Sequence, residues 1–281
     1  MLVLEAATYR AVPTVPAGVR ESSAQAAGFM GRLIGEEIER VSVHLRPEDV
    51  ALNLCVSTMI DLPFVTGWLR WSDVREAAAA HTRLPPQNFT ASYECAGWGY
   101  AVAYAHRHCR PGSVQIVSVV DLNLLDISFW RDNPDWGKSG FGIATVVLRV
   151  PDSGDFHIDT GASQSPFHMG EFCAALRKWL ATSPSPWTNT PFLPDSMVGI
   201  YDHFLPKERV LPNLHAQYGH CFGSDTWISY ITYLAEGRLQ RGERYTATSA
   251  SLRGFWAITD VQVARNGVFG FVDAQARLQS V

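Results

Sequence analysis

The sequence has little charge and no extended apolar run, and these absences exclude several classes of protein. Only 18% of its 281 residues are charged, and the net charge is -4, which disfavours nucleic acid as a partner. The longest apolar stretches, 114–120 and 143–150, have the length of strands, so no membrane-spanning helix is expected. The first residues lack the charged lead and apolar core of a secretory signal. A cytoplasmic protein is therefore predicted.

Cysteine is scarce, and its spacing excludes the usual zinc and dithiol sites. None of the five cysteines belongs to a C-x-x-C pair, and no metal or other cofactor is predicted. The odd number and wide spacing are typical of a reduced compartment. Cys55 lies inside a strand-like segment and is expected to be a small core residue.

Apolar residues make up 47% of the chain, enough for a sizeable core. Strand-like and helix-like segments alternate, a pattern typical of a buried, partly parallel sheet covered by helices. Helices are predicted at 22–40, 73–81, 95–108, 170–182 and 224–236. Strands are predicted at 50–57, 89–93, 114–120, 143–150, 197–201, 245–249, 256–264 and 270–278.

One cysteine differs from the others because it lies where a strand is predicted to end and a helix to begin. At such a junction the thiol of Cys95 would face unpaired backbone N–H groups and the positive end of a helix dipole. Both favour the thiolate, which attacks thioesters. Cys95 is therefore a candidate nucleophile for acyl transfer, and a buried structural cysteine is the alternative.

Two histidines lie in segments that can face a cleft. His203 follows the strand predicted at 197–201, and His220 lies between two glycines ahead of the helix predicted at 224–236. A single histidine in such a place is more often structural than catalytic, so each gains weight only from the other and from Cys95.

Together these segments resemble the thiolase-like ketosynthases, nearest to the β-ketoacyl carrier-protein synthase III group. Residues 94–101 resemble the nucleophile motif A-C-S/A-G-F-x-Y-A, and residues 237–244 resemble the turn G-R-x-K-x-G-D-R. His203 falls where the family has P-H-Q-A-N, and His220 falls where the type III enzymes have G-N-T-S. Residues 142–148 resemble the strand G-A-G-A-V-V-L. The resemblance spans roughly residue 22 to the C-terminus.

The resemblance implies an α/β thiolase-like fold, with two pseudo-repeated βαβ halves in a layered αβαβα arrangement. Residues 1–150 would form the half that carries the nucleophile, and residues 151–281 the half that carries the histidines. Cys95 would hold the acyl group, and His203 and His220 would bind a second thioester or take a proton from an acceptor. The N–H groups of Cys95 and Leu252 are candidates for the oxyanion hole, and Trp256 is expected to wall the pocket.

Three departures from the family pattern refine this prediction. His220 replaces an asparagine, the consecutive glycines of the C-terminal loop are lost near 249–256, and the W-x-x-x-R-T-G-I region that holds coenzyme A is missing. The predicted partner is an acyl thioester on an acyl carrier protein or coenzyme A, and the missing region favours the carrier protein. A homodimer is implied by analogy with the family.

The predicted function is a ketosynthase-type acyltransferase of fatty-acid-like or secondary-metabolite biosynthesis, antibiotics included. It would pass the acyl group from Cys95 to a carbon, oxygen or nitrogen acceptor. One alternative is a catalytically reduced partner subunit of a heterodimeric ketosynthase. Another is a cysteine hydrolase that uses Cys95, His203 and Asp202. Glu94, directly before the nucleophile, is expected to bond a loop or a dimer partner, with a role as base as the alternative.

Overall fold

The structure is a computed structural model that describes residues 1–153 and 156–281. Its helices are α1 (Ala17–Glu21), α2 (Ser23–Ser42), α3 (Asp61–Val65), α4 (Trp71–Ala79), α5 (Gly97–His108), α6 (Ser128–Arg131), α7 (His168–Leu180), α8 (Asp195–Phe204), α9 (His215–Tyr218) and α10 (Asp225–Ala235). Its strands are β1 (Leu2–Ala11), β2 (Val50–Val56), β3 (Asn88–Thr90), β4 (Val114–Asp121), β5 (Asp132–Asn133), β6 (Gly137–Lys138), β7 (Gly142–Arg149), β8 (Ile158–Ala162), β9 (Arg244–Ala250), β10 (Phe255–Val272) and β11 (Leu278–Ser280).

The strands of the N-terminal half form a mixed sheet in the order β1-β7-β4-β2-β3. β7 runs antiparallel to β1 and β4, whereas β2 is parallel to both β4 and β3. β4 is buried at every position and rich in valine, as expected of a strand that is covered on both faces.

The C-terminal half repeats this pairing order with fewer paired residues. β10 runs antiparallel to β8 on one side and to β9 on the other. Beyond β9, Thr188 makes one parallel bridge to Thr246 and another to Val210, in the places that β2 and β3 take in the first half. The second half thus has the same strand order, with its last two strands reduced to single bridges. β10 then continues alongside β1 in parallel, which joins the two half-sheets.

Helices separate the half-sheets and cover their outer faces. α5 contacts β2 and β4 as well as β8 and β10, and α10 contacts β1 and β7 as well as β9 and β10. In this central layer Trp98 and Trp227 are fully buried and meet edge to face, with ring centroids 5.0 Å apart. α2 packs on the outside of the first half-sheet and α7 on the outside of the second. The predicted αβαβα layering is confirmed. Across residues 1–153 and 156–281, every helix is too short or too polar to cross a bilayer.

Two predicted strands differ in the structure, and some observed strands, among them β1, were not predicted. Residues 197–201, predicted as a strand, belong to helix α8, because Pro194 precedes it and Asp195 places a carboxylate in its first turn. β1 has no counterpart among the predicted strands, since polar residues interrupt its apolar ones. The strand predicted at 270–278 is divided by a turn in which Asp273 accepts two backbone N–H groups.

Candidate active site

Cys95 lies in a three-residue 3-10 helix, Glu94–Ala96, that leads directly into α5. Glu94 has a φ of 48°, a conformation that side chains seldom adopt and that costs roughly 1–3 kcal/mol. Ser249 on β9 fastens this turn to the second half, because its hydroxyl donates a 2.5 Å hydrogen bond to the carbonyl of Cys95. The strained turn therefore places the thiol where the two halves meet.

His220 precedes a second turn of the same construction. Phe222–Ser224 form a 3-10 helix that leads into α10, and Phe222 has a φ of 55°. Gly219, with a φ of 73°, supplies the left-handed backbone before His220. A side chain at Gly223 would bring its Cβ to 3.1 Å from the Cys95 carbonyl oxygen. The glycine thus lets the two turns approach each other closely.

Cys95 and His220 are brought together in the interior. The Cys95 Sγ lies 3.9 Å from the His220 Nε2, and both residues are buried. The His220 Nδ1 is 3.0 Å from the Phe192 carbonyl oxygen and 2.9 Å from the Asp225 Oδ2. Because both of these partners accept hydrogen bonds, we assign the proton to Nδ1, which leaves the lone pair of Nε2 facing the thiol.

Asp225 is held firmly in this arrangement. Its two carboxylate oxygens accept the backbone N–H groups of Cys221 at 2.7 Å and of Phe192 at 2.9 Å. A carboxylate fixed in this way orients the imidazole ring and can stabilise the imidazolium that forms when His220 takes a proton.

The resting thiol of Cys95 is not the stabilised thiolate that the sequence predicts. Burial raises the pKa of this thiol well above its usual range, and the nearby carboxylates of Asp121 and Asp225 raise it further. Only 6% of Cys95 is exposed, so the sulfur has lost most of the water that would stabilise its charged form. Thr58 acts in the opposite direction, because its hydroxyl lies 3.7 Å from the Sγ and lowers the pKa.

Asp121, at the end of β4, holds Thr58 in place. The Asp121 Oδ1 accepts the backbone N–H of Thr58 at 2.8 Å and the hydroxyl of Ser57 at 3.2 Å. Burial raises the pKa of Asp121 to about 7. A carboxyl group that titrates near neutral pH therefore positions the only hydroxyl that the described residues place against the sulfur of Cys95.

A pocket of about 120 Å³ opens onto Cys95 and His220. Its wall is largely aromatic, formed by Phe129, Trp130, Trp136 and Phe222. Leu252 also lines the pocket, beside Cys95.

Glu94 and Arg253 stand at the same pocket as an ion pair 2.9 Å apart, with Arg253 largely exposed. Glu94 thus contacts the loop between β9 and β10, which is one of the two roles expected for it.

His203 does not reach this site. It lies exposed in the last turn of α8, beside an open groove that it shares with Arg177 and Phe204. The physical reason is the helix in place of the predicted strand: a strand would end at the sheet edge, whereas the end of α8 faces solvent. The structure therefore does not bring the predicted Cys-His-His set together, and Cys95 has one histidine partner among the described residues.

Asp202 and Trp256 also lie outside the pocket, so the structure does not place them in their predicted roles. Asp202, the partner of His203 in the hydrolase alternative, forms an exposed ion pair with Lys207 at 2.7 Å. Trp256 does not line the pocket; it lies on β10 with its ring over Gly161 on β8.

Three residues of the site are absent from the predicted set. Asp225 lies five positions after His220 at the first position of α10, and Asp121 is a carboxylate at the end of an apolar strand. Both aspartates are visible in the sequence as acidic residues beside apolar segments. Thr58 carries no such signal, because its role depends on the packing of β2 against the turn of Cys95.

Solved structures of known proteins have the same fold. The chain superposes on ChlB3, described as an acyltransferase, with a TM-score of 0.67 and 13% identity, over 95% of this chain and 98% of that one. AbyA1, a tetronic acid condensing enzyme, gives a TM-score of 0.62 and 14% identity, over 92% of this chain and 98% of that one. 3-Oxoacyl-(acyl carrier protein) synthase III, FabH, from Pseudomonas aeruginosa PAO1 gives 0.61 and 15% identity, over 94% and 98%. Neither a family model nor a curated protein matches the sequence.

The chain therefore has the thiolase-like fold of the FabH-like ketosynthases and acyltransferases. The resemblance seen in the sequence is confirmed at the level of the fold. At identities of 13–15% the chemistry must be argued from this chain's own residues.

Proposed function

We propose that this chain is a ketosynthase-type acyltransferase that carries its acyl group as a thioester on Cys95. The supporting observation is the contact series from Cys95 to His220 at 3.9 Å and from His220 to Asp225 at 2.9 Å, at the base of a pocket. A nucleophile, a base and a group that orients the base are the parts that covalent acyl transfer needs.

In the first step the thiol proton of Cys95 moves to the His220 Nε2 as the sulfur attacks the carbonyl carbon of the donor thioester. The carbon–sulfur bond to the donor breaks, and the departing thiolate takes the proton back from His220. The N–H groups of Cys95 and Leu252 are the candidate donors to the oxyanion, each worth about 3–4 kcal/mol of barrier.

In the second step an acceptor hydroxyl or amine gives its proton to Nε2 while it attacks the acyl carbon. Cys95 leaves as a thiolate and recovers the proton from His220. Because His203 lies outside the site, the second imidazole expected to bind a second thioester is missing. This favours an oxygen or nitrogen acceptor over a carbon acceptor. The proposed donor is an acyl thioester of an acyl carrier protein or coenzyme A.

Intact-mass analysis tests the proposal. The chain is incubated with a panel of acyl-coenzyme A and acyl-carrier-protein donors, and we expect it to gain the mass of the acyl group. Cys95→Ala should abolish the gain. Cys109→Ala is the matched control, because Cys109 is less buried but lies just beyond the far end of α5. A chain that stays unmodified with short, long and aromatic donors would contradict the proposal.

We also propose a homodimer formed through β3. This strand lies at the edge of the sheet, where unpaired backbone groups can accept another strand. A groove of about 750 Å³ beside it is lined by Phe89, Tyr93, Tyr100 and Tyr104, and Tyr104 is 55% exposed. A purified homodimer in sedimentation equilibrium is the expected result. A monomer that becomes stable only with a second ketosynthase chain would instead favour the partner-subunit alternative.

A further inference from the structure

We infer that the acyl group carried by Cys95 is an aroyl group with a single planar ring, held against Phe129, Trp130, Trp136 and Phe222. The inference rests on the proposed function, and it names the substrate class of that same site. These four residues are called the aromatic wall below.

The aromatic wall is continuous from the base of the pocket to its mouth. Phe222 meets His220 edge on, with centroids 4.7 Å apart, and it meets the Trp130 and Trp136 rings at 79° and 68°. Trp130 and Trp136 stack on each other at 5.8 Å, and Phe129 lies 5.1 Å from Trp130. Rings in such offset and edge-on arrangements attract a further ring beyond simple burial of area. A planar acyl group on Cys95 would therefore find ring partners along its whole length.

The size of the pocket limits the acyl group. An apolar cavity of about 150 Å³ is enough to hold benzene. The pocket at Cys95 is slightly smaller, about 120 Å³, and it opens toward solvent. A single ring that reaches toward the open mouth is therefore about the largest group that the pocket can hold, whereas a long alkyl chain would have to extend past Phe129 into water.

One feature of the aromatic wall is not explained by packing of the free chain. Phe129 is 54% exposed at the pocket mouth, whereas Phe222 is buried. The exposure of Phe129 is accounted for if its ring contacts a ligand.

The first test compares how fast Cys95 is loaded by benzoyl-, acetyl- and decanoyl-coenzyme A, followed by intact mass. We expect benzoyl loading to be fastest and Trp130→Ala to lower the benzoyl-to-acetyl ratio about 2- to 10-fold. If Trp130→Ala folds poorly, Phe129→Ala takes its place, because Phe129 is exposed. It should also lower the benzoyl-to-acetyl ratio. Phe29→Ala is the matched control, because Phe29 is a partly buried aromatic residue on the outer helix α2.

The second test does not depend on acyl transfer. Phenacyl bromide and bromoacetone both alkylate a thiol, with formation of a carbon–sulfur bond and loss of bromide, and they differ by a ring in place of a methyl group. We expect the ratio of their rates at Cys95 to exceed the ratio for N-acetylcysteine at the same pH, and to fall in Trp130→Ala. Peptide mapping assigns the modified cysteine.

The outcomes separate the two proposals. Loading of Cys95 that is equally fast for benzoyl and acetyl donors, with a phenacyl ratio like that of the free thiol, overturns the inference and leaves the proposed function standing. A phenacyl preference without loading by any donor overturns the proposed function, and the assignment of an acyl group with it.

Discussion

The turn of Cys95 and the turn that follows His220 have the same backbone and different chemistry. Each begins with a residue at positive φ, Glu94 at 48° and Phe222 at 55°, and each forms a three-residue 3-10 helix that continues into a central helix. The two turns also precede α5 and α10, which occupy matching places relative to the repeated strand order.

The difference lies at the second residue of each 3-10 helix. One half has Cys95 there, and the other has Gly223, whose missing side chain leaves room for the carbonyl of Cys95. The proposed base, His220, lies two positions before the second turn. A repeated fold thus brings two similar turns face to face, and in the proposed function one supplies the nucleophile while the other supplies the base. Neither half contains the site alone.

The largest expected effect distinguishes His220 from His203, the two histidines that the sequence predicts for the site. Replacing His220 by Ala removes the group that takes the thiol proton, so the rate of acyl loading should fall about 10²- to 10⁴-fold. His203→Ala is the matched control and should leave the rate unchanged, because His203 is exposed on α8. The time course of intact mass measures both. A comparable loss in both variants would show that α8 moves into the site.

The next effect concerns the acid that faces both turns. The pKa of Asp121 is raised from 3.8 to about 7 by burial, and His220 is among the groups that oppose this rise. At a pH between 3.8 and about 7, Asp121 keeps its proton in the folded chain and has lost it in the unfolded chain. Stability should therefore fall as pH rises from about 4 to about 7, by at most about 1.4 kcal/mol per pH unit.

Asp121→Asn tests this expectation, because the amide oxygen can still accept the N–H of Thr58. Urea unfolding across the same pH range should show a flatter dependence for the variant than for the parent chain. Parallel curves would contradict the assignment, since other titrating groups are common to both proteins.

Local signals were sufficient for much of the first half. β4 and β7 are continuous apolar runs, and α5 follows the small apolar residues after Cys95, so a buried sheet covered by helices and a cysteine at the start of a helix could be predicted. His220 was also found, because a glycine turn before a helix is a local pattern. The resemblance to the family supplied the expectation that the two residues meet.

What the sequence could not supply depends on contacts between distant segments. The apolar run at 197–201 is short enough to suit a strand or a helix, and the mistaken strand placed His203 in the site. Thr58 lies 37 positions from Cys95, and its role exists only after β2 and the turn have packed. The ionisation of Cys95 was also misjudged, because a helix dipole is a local effect whereas burial is set by the whole fold.

The smallest expected effect tests whether the first half of the fold helps to stabilise the thiolate of Cys95. Thr58 belongs to the first half, and its hydroxyl is directed at the sulfur that His220 of the second half deprotonates in the proposed function. Thr58→Val removes this hydroxyl without changing the shape of the side chain much. One hydrogen bond is worth about 0.5–1.5 kcal/mol, so iodoacetamide alkylation of Cys95 should slow about 2- to 13-fold, and its pH midpoint should rise.

Thr58→Ser is the matched variant, because it keeps the hydroxyl and loses only a methyl group. The charged and titratable groups that face Cys95, namely Asp121, Asp225, Glu94 and His220, are unchanged in both variants. If the hydroxyl stabilises the thiolate, Ser should restore the midpoint of the parent chain and Val should not. If Thr58 only fills space, the midpoint will stay the same in both, and stabilisation of the thiolate would then belong to the second half alone.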